Sequence, residues 1–208
     1  MPAPAFVEVS IELIERNPGL RLELGSTRQP CAPGLPFGSQ FPGVPSRTLV
    51  LDFLPDRLLR KVANLSAVFL GGLVFDKWTC NCDERQVIFH RPVDQEDSSY
   101  SGWLIDQGFC FNDGDWNFPD SPIHAVYPRR LVYESVRGLH SFEPFLSRIK
   151  NLKDEQLERC GRKIPPQWCG GDGQLLRLAD RLYERRRRLR QALIDAKNSS
   201  LQPLPNWS

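Results

Sequence analysis

The sequence lacks any apolar run long enough to cross a bilayer. A spanning helix needs about 20 apolar residues, and the longest run here, Ser66–Phe75, stops at Asp76. No basic stretch followed by an apolar run opens the chain, so no secretory signal is expected. Neither charge is in excess: 27 basic and 25 acidic side chains leave +2. That balance predicts no nucleic-acid and no membrane partner for the molecule as a whole. Only three histidines occur, His90, His124 and His140, and none sits in a recognisable Ser or Cys partner motif, which gives a hydrolase triad little support. The six cysteines are scattered. Cys80-x-Cys82, with Cys110 and His90, invites a zinc reading, but no second close pair accompanies it. Free thiols in a reducing cytoplasm are the expectation. No internal repeat is visible.

With 40% hydrophobic and 25% charged residues in 208, the chain can bury a real core. A single domain over 1–197 and a flexible tail over 198–208 are expected. Alternation predicts a short strand over Phe6–Val9. A helical turn over Ile11–Glu15 ends at Asn17-Pro18-Gly19. Proline and glycine crowd residues 25–46, predicting a long loop without regular structure. Further on come a strand at Leu49–Leu51, a helix from Asp56 to Val62 and another over Leu65–Phe75, weakened by Gly71-Gly72. Val87–Phe89 and Trp103–Ile105 read as a hairpin of buried strands. Helices are expected over Ser141–Leu152, with Ser141 as cap, over Asp154–Cys160, and in one long stretch over 174–196. On that last helix Arg185–Arg188 lie largely off the apolar face, as a solvated basic stripe or a nucleic-acid or acidic-partner contact.

The chemistry is concentrated between Phe75 and Phe109. A helix end, a polar loop (Cys80-Asn81-Cys82-Asp83-Glu84-Arg85), a strand, a turn and a second strand ending in Asp106-Gln107-Gly108 follow one another. Phosphoryl transfer needs an acid to orient the attacking hydroxyl and oxygen ligands to hold Mg²⁺ against the phosphates. A loop carboxylate, a nearby amide and an Asp at the end of a buried strand supply such groups. Gly108 is expected to let the chain turn sharply after the metal ligand. The plainer readings are a turn or capping Asp at 106, solvated or helix-end carboxylates at 76 and 83, and a turn-forming Asn81.

The Ile105-Asp106-Gln107-Gly108-Phe109 run resembles the metal-binding Asp-x-Gly segment of HipA-like kinases, a distant relation of phosphatidylinositol and protein kinases. The block Phe109–Asp120 and the phrase Ser141-Phe142-Glu143-Pro144-Phe145-Leu146 resemble those of one bacterial subfamily. The resemblance implies an α+β, mainly helical C-lobe with a small hairpin carrying the metal-site Asp. It also implies Mg²⁺ and ATP as cofactors and a protein substrate or partner, with Asp106 as a metal ligand. Two registers fit the loop. In one, Asp76 is the catalytic acid and Asn81 the metal amide; in the other, Asp83 is the acid, Ile88 stands where the amide is expected, and Gln86 is a poor substitute for it. Gln86 and Gly108 fall on the cofactor side of such a site.

The chain departs from the pattern at its beginning. No Lys precedes Lys61, no Gly-x-Gly-x-x-Gly occurs, and only one strand is predicted before the loop region. The expectation is that the nucleotide-gripping lobe is missing. It would come from residues upstream or from a second chain, or the protein is an inactive pseudokinase that binds a partner.

Overall fold

The computed structural model describes residues 2–24, 27–95, 98–169 and 172–208. Gly25 and Ser26, at the head of the expected loop, and Glu96 and Asp97, between the two buried strands, lie outside the described residues. The class is mixed α+β, with seven α-helices among the described residues and small antiparallel sheets. Contacts divide the chain into two compact units, 1–48 and 49–208, where the sequence reading expects one domain.

In the first unit, β1 (Pro4–Phe6) pairs antiparallel with β4 (Phe37–Ser39). Val7 extends that pairing by donating to the Pro36 carbonyl at 3.1 Å, and Val9 and Gly34 exchange a reciprocal pair of bonds at 2.9 and 3.0 Å. α1 (Ile11–Arg16) is capped by Ser10, whose Oγ accepts the Leu13 N–H at 3.2 Å. β2 (Arg21–Leu24) and β3 (Thr27–Pro30) form a second ribbon. Four strands therefore stand where one strand and a loop are expected. A two-stranded ribbon has two free edges, so a proline's missing N–H costs it no ladder bond when it faces outward. Phe6, Phe37 and Val44 remain exposed here.

The second unit holds the core. β5 (Thr48–Leu51) leads into α2 (Asp56–Leu59) and then α3 (Leu65–Thr79), which is longer than the apolar run predicts. α3 is buried on nearly all sides, as a central helix must be. Its two glycines are contact points. A Cβ at Gly71 would stand 2.9 Å from the Phe145 ring and one at Gly72 would stand 3.3 Å from Leu104. The predicted hairpin forms as β6 (Gln86–Pro92) and β7 (Ser101–Ile105), with Gln86 opposite Ile105 and His90 opposite Ser101. The sheet order is β5-β6-β7. Phe69, Leu73, Val74, Phe89, Phe142 and Leu193 are buried together, each contributing roughly 1.5–3 kcal/mol by leaving water.

The C-terminal half departs from the sequence reading in three places. Ser141 does not cap a helix. It lies in a 3-10 turn, Leu139–Phe142, where its hydroxyl accepts the Arg137 N–H at 2.9 Å; α4 begins only at Phe145 and runs to Lys150. After α5 (Asp154–Gly161), the single helix expected over 174–196 divides into α6 (Asp172–Arg185) and α7 (Leu189–Lys197). The cause is visible. The Trp78 indole donates to the Leu182 carbonyl at 2.7 Å, and Arg186, Arg187 and Arg188 bond instead to carbonyls three residues back, which tightens and ends the helix. The tail is pinned: Leu204 is buried, the Trp207 ring lies 5.9 Å from that of Phe142, and Asn206 donates to the Glu134 carbonyl at 2.8 Å.

Candidate functional site

α3 ends one turn beyond Asp76, and Cys80 takes the left-handed conformation (φ 53°) as the chain turns into the polar loop. Asp76 faces inward. Its carboxylate receives Arg85 Nε at 2.8 Å on one oxygen and an Arg85 terminal nitrogen on the other. Both side chains are essentially sealed, with 0% and 2% exposure. Burial pushes the Asp76 carboxyl above its usual range, and the guanidinium opposes that shift.

Asn81 completes the lock. Its amide donates weakly to Asp76 Oδ1 at 3.4 Å, and its oxygen accepts the Asp83 N–H at 3.2 Å. The free Arg85 terminal nitrogen donates to the carbonyls of Ile105 (2.9 Å) and Asp106 (3.2 Å), reaching across the end of the hairpin. Two backbone bonds, Cys82 N–H to Phe109 C=O at 3.1 Å and Phe111 N–H to Thr79 C=O at 2.8 Å, lace the loop to the segment after β7. The loop and the Asp-x-Gly segment are thus one rigid assembly.

Two carboxylates remain toward solvent. Asp83 is half-buried, with one oxygen accepting the Glu84 N–H at 2.8 Å. It lines a cleft of about 520 Å³ shared with Glu84, His124 and Arg130. Asp106 is exposed, and its oxygens accept the Gln86 side-chain amide at 3.0 Å and the Gly108 N–H at 3.3 Å. The sharp turn comes from Asp106 itself, at φ 53°, and not from Gly108, whose φ is not left-handed. Asp is among the few residues that enter that region readily.

Asn81 and Arg85 thus link the candidates by hydrogen bonds but leave them in different surroundings. Asp76, one expected choice of catalytic acid, cannot accept a substrate proton without breaking a sealed ion pair. Asn81, the expected metal amide, is 1% exposed and occupied on both faces of its amide. Asp83 is half-buried and Asp106 exposed, and Gln86 and Gly108 donate to the Asp106 carboxylate. Arg85, to which the sequence reading assigns no role, is the hub. The signal for it was an arginine immediately before a buried strand, where an unpaired charge would be costly.

Among the described residues no group of three or more His, Cys, Asp or Glu side chains converges to hold a metal ion. Mg²⁺ does not demand such a group, since it is commonly held by one or two carboxylates while waters and substrate phosphates complete the octahedron. Asp106 and Asp83 offer carboxylate oxygens of the kind Mg²⁺ takes, but Asp106 does not line the cleft at Asp83. No helix among the described residues is long and apolar enough to cross a membrane. No family model, no curated protein and no solved structure matches the chain.

Proposed function

We propose that the 49–208 unit is the C-lobe of a HipA-like phosphotransferase. In this reading Asp83 orients a Ser or Thr hydroxyl of a protein substrate, and Asp106 is the carboxylate that would hold Mg²⁺ against ATP. The ion would neutralise charge on the transferring phosphate. Asp76, Asn81 and Arg85 position these two acids and do not touch substrate. The observation that carries the reading is the Arg85 side chain, which binds Asp76 behind the loop and the Asp106 backbone beside it. Catalysis by positioning needs such a mount, because small displacements of a reacting group are costly.

A second reading is favoured by the sealing of Asp76 and Asn81 in the core: an inactive pseudokinase-like module that binds a protein partner. Thermal melting with and without Mg-ATP separates the two. Stabilisation of the chain, lost in Asp106→Ala and in the absence of Mg²⁺, supports the first. A melting temperature indifferent to Mg-ATP, with D106A and wild type alike, rejects it.

A further inference from the structure

A second cleft, of about 450 Å³, lies beside α4 and the α6–α7 break, and shares no lining residue with the cleft at Asp83. Its volume falls within the roughly 300–1,000 Å³ typical of small-molecule sites. The polar lining is Lys150, Arg186, Arg187, Arg190, Ser147 and Glu143, four cations against one carboxylate. That carboxylate is already engaged: Glu143 accepts the Ser147 N–H at 3.1 Å and lies 3.6 Å from Arg190.

Arg186 sets this cleft apart from an ordinary basic surface. Its side chain is only 9% exposed, yet Nε and one terminal nitrogen are buried without a hydrogen-bond partner. Among the described residues its ion-pair partner is Asp154, exposed and 3.8 Å away, beyond hydrogen-bond range. The Tyr183 ring, 4.5 Å from the guanidinium, holds it in place. Buried donors left unused are costly and rare in native proteins. In addition, α7 begins at Leu189 with no side-chain cap, so the positive end of a nine-residue helix adds to the same cleft.

We propose that this cleft binds a small phosphomonoester, separately from any phosphotransfer at Asp83. The phosphate dianion lies against the Arg186 guanidinium, Arg187 and the start of α7, and the organic body lies along Tyr183, Leu146 and Leu189. A single carboxylate would answer one guanidinium. Several cations and a helix terminus around one point suit a tetrahedral dianion with many acceptor positions.

The test is calorimetric titration of the full chain, at fixed ionic strength, with O-phospho-L-serine, ribose 5-phosphate and inorganic phosphate. The expected result is saturable binding of at least one ester, no weaker than that of inorganic phosphate. Losing one charge-assisted contact should weaken it by about tenfold or more in Arg187→Gln, a rim variant whose fold is checked by circular dichroism. Arg186→Gln should abolish it, and if that variant fails to fold, R187Q decides. No ester binding above that of chloride, a response to inorganic phosphate alone, or ester affinity unchanged in R187Q would each overturn the proposal.

Discussion

Arg85 grips both carboxylate oxygens of Asp76 nine residues earlier in the chain, and water reaches neither side chain. This pair ties the C-terminal end of α3 to the first residue before β6, and through the carbonyls of Ile105 and Asp106 to the end of β7. Three elements, α3, β6 and β7, meet on one guanidinium.

Removing one partner of such a pair leaves the other charge stranded in the core. Arg85→Met is expected to lower unfolding free energy by about 3–5 kcal/mol. Asp76→Asn/Arg85→Met should recover at least about 1 kcal/mol of that loss, because no buried charge remains. Urea denaturation of the two variants measures both. Equal stability of single and double variant would show that the ion pair is not what R85M disrupts.

Lys77 is buried with its ammonium donating to the carbonyls of Ser121, Pro122 and His124 at 2.8–3.0 Å. Burial lowers its pKa from 10.5 to about 8. The unfolded chain therefore holds more protons than the folded one from about pH 8 upward, and stability from this group rises with pH until about 10.5. Wild type should gain stability relative to Lys77→Met across that window in urea midpoints. K77M should also be less stable at pH 7, by roughly 1–3 kcal/mol, since three carbonyls lose their donor.

Cys80 donates its thiol to the Pro119 carbonyl at 3.1 Å, and burial pushes its pKa up to about 12. Cys160 is exposed. At pH 8 iodoacetamide should modify Cys160 in the native protein and spare Cys80, because the thiolate is the nucleophile. Peptide mass mapping should find Cys80 labelled only after unfolding. Equal rates at both would mean that the loop opens readily.

Deleting residues 199–208 should destabilise the protein by about 2–4 kcal/mol, the value of burying Leu204 and packing Trp207 on Phe142. Guanidinium unfolding followed by tryptophan fluorescence tests this. A truncated chain as stable as the full one would restore the frayed tail that composition predicts.

Arg185 binds the carbonyls of Lys77 and Trp78 at 2.8 Å and the Asp120 carboxylate at 2.6 Å, satisfying orphan acceptors at the end of α3. Its neighbour Arg186 is buried too, whereas Arg188 is exposed. A run of four arginines that reads as one solvated stripe is in fact an anchor, a cleft wall and a rim.

What the sequence settled by itself was local. Compact apolar runs marked β6 and β7, apolar residues recurring every four positions marked α3, and the order of loop, strand and Asp-x-Gly set the acids on neighbouring segments. These signals live within a few residues, and the hydrophobic effect reads them without knowing the rest of the chain. Which acid is sealed and which faces a cleft was decided only by tertiary structure. So were the break after Arg185, made by an indole 104 positions away, and the docked tail. Each depends on which donor or charge is left unsatisfied once the elements pack, and no local pattern records that.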